Sequence, residues 1–598
     1  ASAALAGRAR SPTMGGMSSL AHLTEDLNPQ QREAVEWGDG PLLIVAGAGS
    51  GKTRVITRRI AHLIGCGVDP GQILAITFTN KAAGEMRQRV LALVDHGKPT
   101  LATFHAFCAR VLRVHGERVG LAPGYTIYDT NDQLSVIQDL LRRENIDTQQ
   151  YRPRAVLSAV SALKNEGVVG EEAEASAHTP FEHVSARAYV LYVQALAEAN
   201  AADFDDLLLK TTDLFRDHDD VLERYRQRYR HVLVDEYQDT NRIQDRIARG
   251  IAAGHGNLCV TGDPDQSIYR WRGARVQNIL EFESDYPGTK VVRLEQNYRS
   301  TNRILRAASA VIDNNPGRML EGLWSELGEG ESVQLQRHAD EESESDAAVK
   351  QVRAWIDEGR APSDIAVFYR TNALSRGLER ALRLYNVPYD IVGAVEFYER
   401  KEVKDLLAYL RVLVNPADAI SFLRIVNVPT RGIGKTSLDK LRSWALPLGI
   451  GPREAARRAA ECPTLTKKPR GALLALTKML DELEEILDES SPEVAFQQIV
   501  QRTGYSDALR DYGGQEALER LENVGELEGA LAAYTRNDPE ASVAGFLEET
   551  ALVADVDSWD ERADRITMMT LHAAKGLEFP CVIIVGMEEG LLPHIRSL

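Results

Sequence analysis

The sequence has few of the features that mark disulfide-bonded, metal-clustered or membrane proteins. Its 598 residues include five cysteines, at positions 66, 108, 259, 462 and 581, and no two of them form a Cys-x-x-Cys pair. This spacing argues against a disulfide framework, a zinc site and an iron–sulfur cluster. No apolar run approaches the roughly eighteen residues that a membrane span needs. We therefore expect a cytoplasmic protein without a membrane partner.

The sequence also lacks an excess of positive charge. Lys and Arg number 70 against 87 Asp and Glu, a net charge of −17, which argues against a uniformly basic nucleic-acid binder. A local basic groove stays compatible, because acidic residues cluster in Asp340–Asp346 and Asp481–Glu493, most simply as solvated surface. The first twenty residues contain Arg8 and Arg10 but no apolar core, so they are not a secretory signal. We predict a disordered tail over residues 1–20.

The most informative stretch runs from Leu42 to Thr53. Leu42–Val45 predicts a buried strand, the glycines that follow let the backbone turn, and Lys52 begins a helix. Strand, glycine loop and helix in this order form a phosphate site, in which loop N–H groups and the helix N-terminus face the anion. The usual pattern begins with Gly where this sequence has Ala46, and a glycine turn that binds nothing is the alternative. The predicted nucleotide contacts are Gly47, Ala48, Gly49, Ser50, Gly51, Lys52, Thr53 and Arg54, with Lys52 on the β- and γ-phosphates and the Thr53 hydroxyl on Mg²⁺.

Other predicted strands end in residues suited to nucleotide hydrolysis. His231–Val234 predicts a strand that delivers Asp235 and Glu236. An acidic pair after an apolar strand, downstream of a phosphate loop, suits Mg²⁺ binding by Asp235 and water activation by Glu236. Gln266 follows the predicted strand Leu258–Val260 and is a candidate sensor of the terminal phosphate.

Aromatic and basic side chains follow several of the same strands. Tyr269 and Trp271 alternate with Arg270 and Arg272, which combines stacking faces with charges that pair with phosphates. Phe78 lies at the end of another predicted strand, where open α/β sheets place ligand contacts. A packed aromatic hairpin is the alternative. The pattern predicts a surface that binds single-stranded nucleic acid.

The order of these motifs resembles the superfamily 1 DNA helicases of the UvrD/PcrA/Rep type. The matching stretches are Gln31, Gly47–Thr53, Thr77–Lys81, Asp235–Gln238, Gly262–Arg272, Asn297–Ser300, Tyr369–Asn372, Arg431–Gly434 and Thr570–Phe579. Two of them, Asp-Glu-Tyr-Gln-Asp and Gly-Asp-Pro-Asp-Gln-Ser-Ile-Tyr, are highly specific. The resemblance spans residues 27–598.

This resemblance implies an α/β fold with two RecA-like parallel-sheet P-loop domains, 1A and 2A, that hold ATP in the cleft between them. Each carries a mostly helical inserted domain, 1B or 2B. The expected bounds are 21–104 and 227–292 for 1A, 105–226 for 1B, 293–390 and 558–598 for 2A, and 391–557 for 2B. The residue pattern itself predicts mostly helix from 110 to 226, with a loop-like stretch from Gly167 to Pro180.

The resemblance also implies roles for single residues. Gln31 would read the adenine, Tyr298 would lie under the base, and Glu578 would contact the nucleotide from 2A. The implied catalytic residues are Lys52, Glu236, Gln266 and Arg299, of which Gln266 and Arg299 would contact the γ-phosphate, and the implied metal ligands are Thr53, Asp235 and Glu236. The implied DNA contacts are Phe78, Thr79, Asn80, Thr103, His105, Tyr269, Trp271, Arg272, Arg370, His572, Gly432, Gly434 and Thr436. For the Gly432 turn, a plain helix–turn–helix linker is the alternative to duplex contact.

The function that the resemblance implies is that of an ATP-dependent DNA helicase and single-strand translocase in repair or replication. ATP and Mg²⁺ are the expected cofactors, and a 3′→5′ direction rests on the resemblance alone. Expected partners are single-stranded DNA and single/double-strand junctions, with repair proteins, RNA polymerase and self-association on DNA as further candidates. Two alternatives are a translocase that strips proteins from DNA and a nucleotide-gated DNA-binding regulator with little turnover.

The sequence departs from the family pattern at two places. Leu374 stands where the family often has Gln beside Asn372. The sequence also stops at Leu598, before an Arg-rich segment that gives the family a second γ-phosphate arginine, and loss of such an arginine lowers the rate by about 10³–10⁵. Either the sequence is incomplete or this form turns over ATP poorly. We expect incompleteness, because a sheet ending after Val582–Val585 would leave apolar surface unpaired.

Overall fold

The computed structural model describes residues 20–94, 96–315, 318–320, 322–392, 397–537, 541–552 and 564–595. They form two compact units: unit 1 comprises the described parts of Ala1–Cys108, Asn165–Gly167 and Leu208–Gln336, and unit 2 those of Ala109–Lys164, Val168–Leu207 and Arg337–Leu598. Apart from Leu20, the predicted N-terminal tail lies outside the described residues. The bounds expected for 1A, 1B, 2A and 2B divide the chain at other positions and stay predictions.

Unit 1 is built on a six-stranded parallel sheet. Its strands are β1 (Leu42–Ala46), β2 (Ile73–Thr77), β3 (Thr100–Thr103), β6 (His231–Val234), β7 (Leu258–Gly262) and β8 (Lys290–Leu294), in the spatial order β3-β2-β6-β7-β1-β8. Every residue of β1, β2, β6 and β7 is buried, as expected for parallel strands covered on both faces. The strands predicted before the phosphate loop and before the acidic pair are confirmed.

Unit 2 contains a smaller parallel sheet and most of the helices. The four strands β9 (Ile365–Tyr369), β10 (Tyr389–Ile391), β11 (Ile566–Thr570) and β12 (Cys581–Ile584) have the order β10-β11-β9-β12, and β4 (Thr126–Ile127) pairs with β5 (Ala201–Ala202). Two separate helical cores lie within residues 128–201 and 403–546. The predicted α/β class, with parallel sheets and mostly helical additions, is confirmed.

The α-helices of the described residues are, in chain order, α1 (Pro29–Glu36), α2 (Lys52–Gly65), α3 (Asn80–Leu91), α4 (Phe104–His115), α5 (Thr130–Arg143), α6 (Pro153–Glu166), α7 (Gly170–Ser176), α8 (Pro180–Glu198), α9 (Phe204–Asp217), α10 (Asp219–Arg228), α11 (Arg242–Ala252), α12 (Gln277–Leu280), α13 (Phe282–Asp285), α14 (Asn302–Ile312), α15 (Glu341–Asp357), α16 (Ser375–Leu384), α17 (Lys401–Val414), α18 (Ala419–Ile425), α19 (Lys435–Ala445), α20 (Pro452–Arg457), α21 (Lys467–Glu489), α22 (Pro492–Thr503), α23 (Tyr505–Tyr512), α24 (Gly514–Asn537) and α25 (Val543–Ala551). Short 3₁₀ turns connect several of them.

Local sequence explains where the helices around the phosphate loop begin. Asn28 caps α1 in a reciprocal capping box with Gln31, and Pro29 occupies the first helical position, where its missing N–H costs nothing. Gly51 precedes α2 in the left-handed region. The predicted helix start at Lys52 is confirmed.

The loop expected from Gly167 to Pro180 is wrong over its centre, where α7 forms. Ala173 and Gly170 are buried, and a Cβ on Gly170 would lie 2.9 Å from Val190 Cγ2 of α8. Seven residues contain too few apolar positions to show a helical period, so the packing against α8 decides the conformation.

No helix in the described ranges combines the length and apolarity that crossing a bilayer requires. All five cysteines are free thiols, and four of them are buried.

Candidate nucleotide and nucleic-acid site

Glycine shapes the loop between β1 and α2. Gly49 has φ +65° and Gly51 has φ +86°, conformations that L side chains rarely adopt. A Cβ on Gly47 would lie 2.4 Å from Leu323 Cδ2, and one on Gly49 would lie 2.7 Å from Arg299 Cβ. The loop backbone therefore lies closer to its neighbours than a side chain at these positions would allow.

The carbonyl oxygens of this loop are bound from several directions. The Ser50 hydroxyl donates to the Gly47 carbonyl (2.7 Å), Gln31 Nε2 donates to the Ser50 carbonyl (3.0 Å), and the Tyr298 N–H donates to the Gly49 carbonyl (2.8 Å). In a trans peptide the C=O and the next N–H point in opposite directions. Each carbonyl held in this way turns the N–H of its own peptide away from the donor, and of these N–H groups that of Ser50 donates to the Gly47 carbonyl (3.3 Å).

Gln31 and Tyr298, the predicted base contacts, both lie beside the loop. Gln31 is buried, and its amide already has partners at both ends, because Oε1 accepts from the Asn28 N–H (3.2 Å). Tyr298 is 43% exposed, and its hydroxyl bonds the Asn28 and Gln296 side chains at 2.9 Å. Tyr298 thus presents an exposed ring, whereas Gln31 must give up one of its two side-chain hydrogen bonds before its amide can bond a base.

Lys52 and the acidic pair meet at the loop. Lys52 Nζ, at the start of α2, lies 3.7 Å from Glu236 Oε1, and the buried Asp235 directly follows β6. Glu236 has φ +53°, and among the described residues it is the only one other than Gly or Asn in that region. Such backbone strain is concentrated at functional sites. The predicted pairing of phosphate loop and acidic dipeptide therefore has a geometric basis.

Gln238 connects the acidic pair to the loop that carries Gln266. This fully buried amide donates to Glu236 Oε2 (2.5 Å) and accepts from the Asp263 N–H (3.1 Å), while its backbone carbonyl accepts from the Ser267 hydroxyl (3.2 Å). Gln266 in turn donates to the Asp263 carboxylate, whose pKa is raised by burial. Sequence reasoning did not single out Gln238, because its only signal was its place inside a motif.

Oxygen donors at the loop fit a magnesium ion. Thr53 is the second residue of α2, and Asp235 and Glu236 follow β6. No group of three or more His, Cys, Asp or Glu side chains arranged for a metal occurs in the part of the chain that the structure describes. That is compatible with Mg²⁺, which nucleotide enzymes bind through one or two carboxylates together with substrate phosphates.

The two predicted arginine contacts differ in their surroundings. Arg54 is directed to Asp26, which also pairs with Arg58 at 3.1 Å. Arg299 is exposed, and its backbone N–H donates to Asn297 Oδ1 (2.8 Å). Arg299 is thus held by its backbone beside the loop, while Arg54 lies in an ion-pair cluster.

The aromatic residues separate into a packed ring and an open one. Tyr269 is buried and stacks on Phe78, with ring centroids 5.0 Å apart and an interplanar angle of 18°. Trp271 is 65% exposed, and the Arg272 guanidinium lies 4.7 Å from its ring centroid and 5.3 Å from that of Tyr269. The packed alternative therefore describes Tyr269 well, and Trp271 with Arg272 is the exposed pair for which stacking on a base stays a prediction.

Four further predicted DNA contacts lie at the ends of β2 and β3. Thr79 and Thr103 each accept a hydrogen bond from a backbone N–H in the first turn of α3 or α4, at 3.1 and 3.2 Å, and Asn80 begins α3. Burial, together with the Arg272 charge, lowers the pKa of His105 to about 4. His105 is therefore neutral at pH 7.

The predicted contacts in unit 2 follow two neighbouring strands. Arg370 follows β9 and His572 follows β11, and Arg370 Nη1 lies 3.4 Å from His572 Nδ1. Glu578 is exposed in the segment between β11 and β12. Their roles stay predictions.

The glycine turn before α19 has the predicted form. Gly432 has φ +76°, Gly434 caps α19, and Thr436 is exposed in its first turn. Arg431, which begins this turn, donates to three backbone carbonyls at 2.9, 2.9 and 3.3 Å and lies over the Tyr409 ring. Arg431 therefore stabilises the turn itself.

Comparison with known proteins identifies the family. Residues 27–287 match the UvrD/REP helicase N-terminal domain, and residues 292–450 and 465–598 match the UvrD-like helicase C-terminal domain. The chain is 44% identical over 586 residues to ATP-dependent DNA helicase PcrA of Bacillus subtilis, covering 96% of this chain and 79% of the relative. The PcrA proteins of Staphylococcus epidermidis and Staphylococcus aureus are 44% and 43% identical over 590 residues, with the same coverage. These matches confirm the resemblance found in the motifs, and the chain belongs to the UvrD/REP family of helicases.

Proposed function

We propose that this protein is an ATP-dependent DNA helicase that translocates along single-stranded DNA and acts in repair or replication. The observation that carries the proposal is the Lys52–Glu236 pair, 3.7 Å apart, at a glycine loop whose carbonyls accept hydrogen bonds from Gln31, Ser50 and Tyr298. Trp271, an exposed stacking ring, follows a strand of the same sheet. The relatives that carry the name ATP-dependent DNA helicase support the same reading.

In the proposed reaction, Lys52 and the loop N–H groups bind the phosphates of ATP. Glu236 accepts the proton of the attacking water, and Gln266 and Arg299 contact the γ-phosphate. Thr53, Asp235 and Glu236 are the side chains that would hold Mg²⁺, which supplies charge neutralisation at the phosphates when bound. The strained backbone at Glu236 supports this assignment, because it fixes the carboxylate beside Lys52.

The coupling of hydrolysis to DNA would pass through Gln238. Its contacts connect Glu236 to the segment that begins at Asp263, includes Gln266 and ends in Trp271. A change at the γ-phosphate that moves Gln266 would therefore move the stacking ring along the same short loop. This supports stepping of bases past Trp271, with the 3′→5′ direction as an expectation of the resemblance.

The finer assignments of partner and location belong to the same proposal. We propose single-stranded DNA and single/double-strand junctions as ligands, a cytoplasmic location, and repair proteins, RNA polymerase or a second copy on DNA as protein partners. The exposed Trp271–Arg272 pair supports the single-strand contact.

ATP hydrolysis by this chain, with and without single-stranded DNA, tests the chemistry. Lys52→Ala should abolish turnover while leaving single-strand affinity near normal. Lys290→Ala is the matched control, because Lys290 pairs in register with Leu42 at the opposite end of β1 and should leave turnover unchanged. Loss of DNA binding together with turnover in Lys52→Ala would contradict separate nucleotide and DNA contacts.

Unwinding of duplexes with 3′ or 5′ tails tests the coupling. A helicase opens the 3′-tailed duplex, whereas a protein-stripping translocase clears a bound protein from a single strand but opens little duplex. DNA binding that responds to nucleotide without DNA-stimulated hydrolysis would favour the regulatory alternative.

A further inference from the structure

We infer that Asn297 is a positioning residue that sets both the phosphate loop and the backbone of Arg299 for the triphosphate. The inference rests on the proposed nucleotide function of the loop and adds a residue to it. Asn297 follows β8, is 2% exposed and reaches the loop with its side-chain amide. Its role is carried by hydrogen bonds to two different segments of unit 1.

The donor end of the amide fixes one peptide of the loop. Asn297 Nδ2 donates to the Ala48 carbonyl at 2.6 Å. Because that carbonyl points to Asn297, the N–H of the same peptide, which belongs to Gly49, points to the opposite side. Asn297 therefore sets the direction of the Gly49 N–H, one of the loop N–H groups that would contact a bound phosphate in the proposed function.

The acceptor end of the amide fixes the segment that carries the arginine. Asn297 Oδ1 accepts from the N–H groups of Arg299 (2.8 Å) and Ser300 (2.7 Å), which makes a side-chain-closed turn. A Cβ on Gly49 would lie 2.6 Å from Asn297 Nδ2 and 2.7 Å from Arg299 Cβ. One buried amide thus connects the loop to the segment that carries Arg299, and these two segments lie too close together for a Cβ at Gly49.

The backbone around Asn297 is anchored independently of its side chain. The Asn297 N–H donates to the Trp324 carbonyl at 2.7 Å, and the Tyr298 N–H donates to the Gly49 carbonyl at 2.8 Å. Changing the side chain therefore leaves two anchors of the segment in place. An altered amide should change nucleotide preference more than it changes folding.

The test is the ratio of affinities for fluorescent ATP and ADP analogues, measured with kcat and KM for ATP. Asn297→Asp keeps the oxygen that accepts from the N–H groups of Arg299 and Ser300. It replaces Nδ2, the donor to the Ala48 carbonyl, with a second oxygen. We expect it to lower the preference for triphosphate over diphosphate about ten- to hundredfold, since it leaves a buried carbonyl unsatisfied. Single-strand affinity in the absence of nucleotide should stay within about twofold of the unaltered chain.

Asn302→Asp is the matched control, because the Asn302 amide makes the same kind of reciprocal bonds to the Ser325 backbone, at 2.9 and 3.1 Å. It should leave the affinity ratio unchanged. Asn297→Ser is the second variant: it retains a short acceptor for the turn and lacks the reach to Ala48, so it should also lose triphosphate preference.

An unchanged affinity ratio in a folded Asn297→Asp or Asn297→Ser protein would overturn the inference. So would equal losses in Asn302→Asp, or failure of both Asn297 variants to fold, since the amide would then serve the fold alone. If the unaltered chain neither binds nor hydrolyses ATP, the proposed function fails instead.

Discussion

Replacing Trp271 with Ala tests the stacking surface directly. The ring is 65% exposed, so its loss should change the free energy of unfolding by no more than about 0.5 kcal/mol. A stacked base loses about 1–3 kcal/mol when its aromatic partner is removed, which corresponds to about a 5- to 150-fold weaker single-strand affinity. The Arg272 guanidinium, 4.7 Å from the ring centroid, stays in the variant, so most phosphate pairing is retained.

The assay is fluorescence anisotropy of a labelled thymidine oligonucleotide at several salt concentrations. For Trp271→Ala the affinity should fall at every salt concentration while the slope against log salt is nearly unchanged, because no phosphate contact is removed. Arg272→Gln should instead lower the slope by about 0.7, the value for one phosphate contact to a single strand. Phe181→Ala, at a partly exposed aromatic on α8, is a control that should bind normally.

Tyr269→Ala separates packing from stacking. Its ring is buried against Phe78, so truncation should cost about 3–5 kcal/mol of unfolding free energy. If Trp271→Ala binds single strands as tightly as the unaltered chain, or loses stability as Tyr269→Ala should, the assignment of Trp271 as the open stacking face is refuted.

Two more predictions concern buried charge. Lys164 is fully buried and donates to Asp203 (2.7 Å) and Asp206 (2.8 Å). Lys164→Met should lower the free energy of unfolding by about 3–5 kcal/mol, because it leaves two buried carboxylates without their cation. Denaturant unfolding measures this change, and an unchanged midpoint would contradict it. His105 has a folded-state pKa of about 4, below its unfolded value of about 6.5, because burial and the Arg272 charge disfavour its protonation. Its contribution to stability is therefore present above pH 6.5 and is lost as the pH falls towards 4. His105→Gln should lose less stability over that pH interval, and an identical pH profile would show that His105 does not titrate in this way.

Much of the nucleotide site could be predicted because its signals are local. The loop glycines, Lys52 and the acidic pair each follow a short apolar strand, and parallel strands of one sheet bring their carboxyl ends to one edge. The cap at Asn28 also acts within three residues. The segment of α7 could not be predicted, because its helix depends on packing against α8 and not on its own period.

The amino-acid sequence by itself determined the α/β class, the order of strands and helices around the phosphate loop, and the family. Only the tertiary structure decided that the Tyr269 ring is buried while the Trp271 ring is exposed. It also decided that Arg431 bonds the backbone carbonyls of its own turn, and that the Asn297 side chain bonds Ala48, 249 positions away in the sequence. The physical reason is the sequence separation over which each interaction acts. Strand burial, helix capping and glycine turns act over a few residues, whereas the partner of a buried amide or ring is set by how distant segments pack.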